Sequence, residues 1–269
     1  MNMTCSRRDL NEAVQTVGRA AATQSALPIL NHILLAVHDD ELQLTATDSE
    51  LSSRTSIPVV GRLQGPIAIP AKAFGEILLS LPDGDLDLSV GGRHTLMVRQ
   101  GEIRFELKGL PGGEFPTIPV VHIEGDRAAR VQFDQPTMRR LLRQTSFSVS
   151  TDPTRVQYTG ILFEGDAEVF RLVSTDGVVR VAISSAPLEE PGTPISAIVP
   201  ARTVTEFSRL LRGDGEGRAT IYFRNDPVGP TLASFEANGV MLVSRLIEGQ
   251  FAPWRRVVPQ SYQERATVK

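Results

Sequence analysis

Basic side chains cluster on the polar faces of predicted helices in the second half of the chain. The two groups are Arg202, Arg209 and Arg212, and Arg139, Arg140 and Arg143. In the first group, spacings of seven and ten residues put the three guanidinium groups on one helix face. Cations that point away from a core can hold the phosphates of a nucleic acid without reading its bases. The alternative is an ordinary solvated helix face, which composition alone favours.

Side chains suited to catalysis or metal binding do not form a recognisable site. Cys5 is the single cysteine, and the four histidines lack metal-ligand spacing. The glycines at 91 and 92 are not followed by the residues of a phosphate-binding loop. Carboxylates at 39–41 and at 83, 85 and 87 are typical of solvated turns. The sequence therefore predicts neither an enzyme nor a cofactor, and an unrelated α+β enzyme would need a site that the pattern does not show.

Composition is that of a water-soluble globular protein. The chain has 269 residues, 28 Lys and Arg against 31 Asp and Glu, and 41% hydrophobic residues. This length predicts two domains. A lone cysteine fits a reducing cytoplasm. No stretch approaches the roughly 20 apolar residues of a membrane span, so we expect a cytoplasmic protein without membrane contact.

The second half of the chain repeats the first. Ala-Thr-Asp at 46–48 matches Ser-Thr-Asp at 174–176, an offset of 128 residues. Ile-Pro-Ala-Lys at 69–72 matches Val-Pro-Ala-Arg at 199–202, an offset of 130 residues, so Lys72 corresponds to Arg202. Such self-similarity indicates two copies of one structural unit.

The sequence pattern of each copy predicts a strand, a helix, several strands, a second helix and further strands. Ser6 caps the first helix, and an apolar stripe follows at Leu10, Ala13, Val14 and Val17. Strands with alternating apolar residues lie between the helices. The predicted fold class is α+β, with two helices packed on mostly antiparallel sheets in each tandem domain. We expect domain one at 1–120, a linker near 119–127, domain two at 127–260, and the first strand of a third copy at 261–269.

Several motifs make the chain resemble the bacterial β sliding clamps, the beta subunits of the DNA polymerase III holoenzyme. They are Leu27-Pro28-Ile29-Leu30, Thr47-Asp48, the 69–72 segment, Gly109-Leu110-Pro111, Glu114-Phe115-Pro116, Thr175-Asp176-Gly177, and Phe251 with Arg255-Arg256-Val257-Val258-Pro259. The resemblance implies the DNA-clamp fold and covers the first two of three family domains. Family members form head-to-tail rings with helices lining the hole.

The resemblance also implies a function and a set of partners. The expected function is a processivity factor of DNA replication, a non-catalytic ring that encircles double-stranded DNA without sequence specificity. Expected partners are the replicative DNA polymerase subunit, the clamp loader and repair proteins that carry a clamp-binding peptide. A second hypothesis is a truncated clamp relative that cannot close a ring and acts as an adaptor or decoy.

Site residues follow from the resemblance position by position. The residues expected to approach DNA are Arg19, Gln24, Lys72, Arg139, Arg140, Arg143, Arg202, Arg209 and Arg212. Those expected to bind a partner peptide are Arg155, Tyr158, Thr175, Gly177, Val178, Val179, Arg180, Arg256 and Val257. Phe105 and Leu107 are expected on the edge strand of the subunit interface, with ordinary core packing as the alternative for both. A structural turn is the alternative for Thr175.

Overall fold

The order of the longer strands and helices is the same in the two halves of the chain, and the first half has two additional short strands, Val60–Gly61 and Leu110–Pro111. The computed structural model describes residues 2–63, 65–119, 121, 128–189, 193–213, 216–226 and 229–258. The first half contains β1 (Asn2–Ser6), α1 (Arg7–Val17), β2 (His32–His38), β3 (Glu41–Thr47), β4 (Leu51–Pro58), β5 (Val60–Gly61), β6 (Ile67–Pro70), α2 (Ala71–Ser80), β7 (Asp85–Gly91), β8 (Thr95–Gln100), β9 (Ile103–Lys108) and β10 (Leu110–Pro111). The second half contains β11 (Ala128–Asp134), α3 (Gln135–Thr145), β12 (Gly160–Gly165), β13 (Val169–Thr175), β14 (Val181–Pro187), β15 (Ile195–Pro200), α4 (Ala201–Leu210), β16 (Arg218–Asp226), β17 (Gly229–Ala237) and β18 (Val240–Arg245).

The predicted repeat and the α+β class are confirmed, since each half carries two helices and the pairings between the described strands are antiparallel. Most of the predicted linker and the predicted terminal strand at 261–269 lie outside the described residues. The domain boundaries therefore stay predictions.

Side-chain caps mark where the first helix of each copy begins. The Ser6 hydroxyl accepts the Asp9 N–H at 3.3 Å and caps α1. The Asp134 carboxylate accepts the Thr137 N–H at 2.7 Å and caps α3. This backbone N–H lowers the pKa of Asp134. The predicted apolar stripes of both helices are buried, so the caps and stripes together fix the first helix of each copy.

The described strands form three sheets. A five-stranded sheet runs β5-β1-β7-β8-β9, and a four-stranded sheet runs β14-β13-β12-β15. The third sheet runs β10-β6-β2-β3-β4-β18-β17-β16-β11 and crosses between the copies where β4 pairs with β18. Backbone hydrogen bonds thus continue across the boundary between the two repeats.

The cores of the two copies are continuous but differ in chemistry. Leucines dominate the first copy, where Leu10, Leu35 and Leu44 are fully buried. In the second copy, a group of phenylalanines packs with ring centroids between 5.1 and 6.3 Å apart. Its members are Phe133, Phe163, Phe170, Phe207, Phe223 and Phe235. Among the described residues, no helix has the length and apolar character needed to cross a membrane.

Candidate functional site

The four helices follow one another in a single row. Within the copies, α1 packs against α2 and α3 packs against α4. Between the copies, α1 lies on β4 and α4 lies on β18, which are neighbouring strands of one sheet. The Arg202 Nη2 at the start of α4 also donates to the Arg19 carbonyl, just after α1, at 3.0 Å. The order along the row is therefore α2, α1, α4, α3.

The side chains predicted to approach DNA are exposed to solvent. Every residue predicted to approach DNA is exposed: Arg19, Gln24, Lys72, Arg139, Arg140, Arg143, Arg202, Arg209 and Arg212. Because the buried stripe of each helix faces the core, the exposed cations lie along the outer side of the row. Such a line of charge can follow a phosphate backbone without base contacts.

Some of these cations already have partners in the chain. Arg202 forms an ion pair with Asp48 across the boundary between the copies. Arg209 Nη1 lies 2.5 Å from Glu206 Oε1 on the same helix. Within the described ranges, Lys72, Arg19, Arg139 and Arg143 have no carboxylate oxygen within 4.0 Å. Arg140 and Arg212 also have no such partner, but Arg140 donates to Gln144, Ser184 and the Ser185 carbonyl. The cations without a described carboxylate partner can turn toward an external phosphate without breaking an ion pair.

The prediction that Arg212 shares a helix face with Arg202 is wrong. Helix α4 ends at Leu210, and Leu211 has extended backbone angles of φ −78° and ψ 130°. The Arg212 N–H donates to Gln135 Oε1 at 2.7 Å, so a side chain from α3 takes the backbone group that a longer helix would use. Arg212 remains exposed, in the segment after the helix.

The Thr-Asp-Gly segment of the predicted peptide site is a side-chain-stabilised turn. Asp176 Oδ1 accepts the N–H groups of Val178, Val179 and Arg180 at 2.9–3.0 Å. These bonds, led by the one from Arg180, hold the pKa of Asp176 well below its usual range. Thr175 Oγ1 donates to the Arg180 carbonyl at 2.6 Å. Thr47 and Asp48 make corresponding bonds in the first copy, where the turn is one residue shorter and Thr47 Oγ1 donates to the Leu51 carbonyl at 3.1 Å. The Thr-Asp bonding therefore belongs to the repeat, and the extra residue belongs to the second copy.

At Gly177, the side chains of Tyr158 and Arg155 from the predicted peptide site pack closely against this turn. Its φ is +73°, and a Cβ built on it would lie 2.7 Å from the Tyr158 ring and 3.3 Å from Arg155 Nη1. The Tyr158 ring in turn makes an edge-to-face contact with Phe251, with centroids 5.9 Å apart. Thr175, Gly177, Tyr158 and Arg155 are therefore close neighbours.

The remaining predicted peptide residues are exposed around this centre. Val178 and Val179 are 73% and 82% exposed at the tip of the turn, and Val257 is 63% exposed. Arg180 turns back onto Asp176 Oδ2 at 2.9 Å and onto the Phe147 carbonyl at 3.1 Å. Exposed valines beside a tyrosine suit the apolar side chains of a short peptide.

An open groove of about 830 Å³ lies beside this site. Its lining includes Arg256 from the predicted set and, outside that set, Leu162, Glu164, Ile198, Pro230, Ile247, Phe251, Ala252, Trp254 and Arg255. Arg255 makes two hydrogen bonds to Glu164, at 3.0 and 2.7 Å, and its guanidinium lies 4.2 Å from the centre of the Trp254 ring. Trp254 is a further sequence signal for this groove, because a lone tryptophan on a polar segment often packs at an interface.

The predicted interface residues lie on β9, which is an edge of the five-stranded sheet. Leu107 is buried and Phe105 is half-buried against the core. Both side chains point toward the helix side of the strand, while the backbone edge of β9 is open among the described strands.

Catalytic chemistry has no geometric support in the described part of the chain. Cys5 is buried on β1, and burial, with help from Asp85 and Asp9, raises the pKa of its thiol to about 12. Asp83 pairs with Arg7, and Asp87 accepts a hydrogen bond from Thr4 Oγ1 at 2.8 Å. Among the described residues, no three metal-ligating side chains group together.

Comparison with known proteins gives consistent matches over nearly the whole chain. Residues 1–119 match the DNA polymerase III beta subunit, N-terminal domain, and residues 132–253 match the central domain of the same subunit. The beta sliding clamp of Escherichia coli K12 is 32% identical over 265 residues, covering 97% of this chain and 69% of that protein. The beta sliding clamp of Pseudomonas putida is 33% identical over 270 residues. The crystal structure of the Bacillus subtilis DNA polymerase sliding clamp superposes with a TM-score of 0.89 at 28% identity, over 97% of this chain and 68% of that one.

Proposed function

The chain belongs to the DNA polymerase III beta subunit family, the bacterial β sliding clamps, and we propose that its row of four helices faces duplex DNA. Membership in this family makes it a non-catalytic processivity factor of DNA replication. Its partners are double-stranded DNA, the replicative polymerase subunit, the clamp loader and other clamp-binding proteins. It works in the cytoplasm, where the chromosome is copied.

The row of helices is the observation that carries this proposal. A protein that slides must attract phosphates over a screened distance without fixing its position by base contacts. Lys72, Arg19, Arg139 and Arg143 provide exposed cations along that row, and none of them forms an ion pair with another described residue. The helix surface therefore holds DNA loosely, while ring topology keeps the protein on the duplex.

A second surface, formed by the Gly177 turn, Tyr158 and Phe251, binds the short peptide of a partner. Its apolar residues supply anchoring contacts, and Arg155 supplies a donor beside them. The neighbouring groove places Trp254, the single tryptophan, near the same segment as Phe251. Titration with a peptide from a bacterial replicative polymerase subunit should therefore change Trp254 fluorescence.

DNA affinity at several salt concentrations tests the helix surface. A triple variant, Lys72→Gln, Arg139→Gln and Arg143→Gln, removes three helix cations that form no ion pair among the described residues. The matched control replaces three exposed arginines on strands and turns, Arg93, Arg99 and Arg130, by glutamine. The slope of log affinity against log salt should fall by up to about 3 in the helix variant and by less than about 1 in the control. Equal losses in the two variants would contradict the assignment of the helix row.

A further inference from the structure

A second cavity lies at the junction between the two copies, on the face of the nine-stranded sheet that points away from the helices. Its volume is about 440 Å³, which is within the range of ligand pockets. Leu232 on β17 and Val243 on β18 form its floor, and the segment 116–119 forms one wall. This cavity, termed the junction pocket, shares no lining residue with the predicted peptide site of the second copy.

Two arginines flank the floor of the junction pocket. Strand pairing sets Leu232 opposite Arg224 on one side and opposite Arg245 on the other, so the three side chains form one row across β16, β17 and β18. Neighbouring strands lie about 5 Å apart, and the row therefore holds an aliphatic side chain between two guanidinium groups. Leu232 is half-buried, so part of its side chain is open to a ligand. Such a row can bind a carboxylate and an aliphatic group together.

The guanidinium group of Arg245 is oriented but keeps free donors. Its Nε donates to the Ser49 carbonyl at 3.2 Å, while its two Nη atoms have no hydrogen-bond or ion-pair partner among the described residues. Arg224 is held more tightly, because its Nε binds Asp226 at 3.1 Å and its Nη2 binds the Thr231 hydroxyl at 3.2 Å. Arg245 is therefore the side chain of this row that is best placed to bind a carboxylate through two hydrogen bonds.

The wall of the junction pocket offers backbone groups as well as side chains. The segment 116–119 lies outside the helices and strands, and its Ile118 packs in one buried cluster with Val243. Thr117 is exposed, and its N–H and carbonyl make no backbone hydrogen bond with another described residue. An extended peptide can gain affinity by main-chain hydrogen bonds to such groups. The wall therefore favours a peptide over a free anion.

Charge in and beside the junction pocket favours an acidic ligand. Arg54 on β4 lies next to the pocket and contacts the same segment 116–119. No hydrogen bond or ion pair joins its guanidinium to another described residue, and burial lowers its pKa. Glu50 lies at the exposed rim and forms no ion pair with the arginines of the row. Among the described residues, three arginines thus outnumber two carboxylates here, Glu50 and Asp226.

We propose that the junction pocket binds a short acidic segment of a partner protein, in which a carboxylate and an aliphatic side chain project from the same side. The carboxylate binds the Nη groups of Arg245, the aliphatic side chain packs on Leu232, and the backbone of the segment pairs with Thr117. The pocket and the row of helices lie on opposite faces of the nine-stranded sheet. The proposal therefore depends neither on the DNA surface nor on the predicted peptide site of the second copy.

Titration of the 269-residue chain with matched peptides tests the ligand chemistry. The probe is acetyl-Thr-Glu-Thr-Val-Thr-amide, whose Glu and Val side chains project from the same side of an extended chain. One control peptide replaces its Glu by Gln, and the other replaces its Val by Gly. The methyl NMR signals of Leu232 and Ile118 should shift with a Kd below about 1 mM for the probe, and each control should bind at least about fivefold more weakly. Equal affinity of the three peptides, no methyl shift, or an equal shift with sodium acetate alone would overturn the proposal.

Variants of the protein test where the probe binds. Arg245→Gln should weaken its binding by at least about fivefold, because the carboxylate loses its charged partner. The matched control, Arg130→Gln, removes an exposed arginine from β11 at the far end of the same sheet, and its affinity should stay within about twofold of the unmodified chain. Tyr158→Ala alters the predicted peptide site of the second copy and should also leave the probe bound. Loss of binding in Tyr158→Ala but not in Arg245→Gln would assign the probe to that other site and overturn the proposal.

Discussion

Two glycines with the same backbone conformation provide a test of how the peptide site is built. Gly177 has φ +73° and Gly239 has φ +74°, so alanine at either position takes on the same left-handed strain. Their surroundings differ, because a Cβ at Gly177 would lie 2.7 Å from the Tyr158 ring, whereas nothing lies within 4 Å of one at Gly239. The pair therefore separates backbone strain from the steric role of Gly177.

The expected losses of unfolding free energy follow from these contacts. Gly239→Ala should lower the free energy of unfolding by about 1 kcal/mol, the usual penalty for a side chain in this backbone conformation. Gly177→Ala should cost the same amount plus about 1 kcal/mol more, because displacing Tyr158 weakens its edge-to-face contact with Phe251. Peptide binding should weaken in Gly177→Ala and be unchanged in Gly239→Ala.

Urea unfolding of both variants, repeated in a Tyr158→Ala background, separates the cost of backbone strain from the cost of displacing the Tyr158 ring. Without the tyrosine ring, Gly177→Ala should cost no more than Gly239→Ala, and the double-mutant cycle should show coupling between Gly177 and Tyr158. If the two glycine variants lose the same stability when Tyr158 is present, the ring does not depend on Gly177 and the reasoning fails.

Three further predictions concern the Asp134 cap of α3, the Cys5 thiol, and the junction between the two copies where Arg202 pairs with Asp48. Asp134→Ala should destabilise the chain by about 1 kcal/mol in urea unfolding at neutral pH. Because folding lowers the pKa of Asp134, this loss is full above the ordinary carboxyl pKa and shrinks as the pH falls through the lowered value. Cys5 should react with a thiol reagent at pH 8 only on unfolding, and fast labelling of the native chain would contradict its burial. A double-mutant cycle on Arg202 and Asp48 should give a coupling of about 0.5–1 kcal/mol that falls with salt, and zero coupling would show that the pair does not stabilise the junction.

Local and repeated features of the fold were accessible from the sequence. The cap at Ser6 and the apolar stripe from Leu10 to Val17 predict α1 because both act within a few turns of one helix. The matching segments at 46–48 and 174–176 predict a turn held by the Asp side chain in both halves, and the structure has one in each, although the turn of the second copy is one residue longer. Periodicity also predicted which faces of the helices would be exposed.

Features that depend on residues far apart in the sequence could not be predicted from it. The end of α4 is set by the Gln135 side chain, 77 positions before Arg212 in the sequence, and no local signal near Arg212 reports it. The pairing of β4 with β18 joins residues almost 190 positions apart, and the repeat alone does not say which edges meet. The groove beside Trp254 is likewise assembled from separate segments of the second copy.

Two residues at equivalent positions of a repeat can have different roles. Lys72 and Arg202 occupy the same place at the start of the second helix of each copy, and the sequence therefore treats them alike. Arg202 contacts the neighbouring copy and is held by Asp48 and by the Arg19 carbonyl, while Lys72 forms no ion pair with another described residue. The difference arises because the pairing of β4 with β18 brings the two copies together beside Arg202. A cation that stabilises this contact contributes less to a phosphate surface, so we expect Lys72 to contribute more to DNA binding than Arg202.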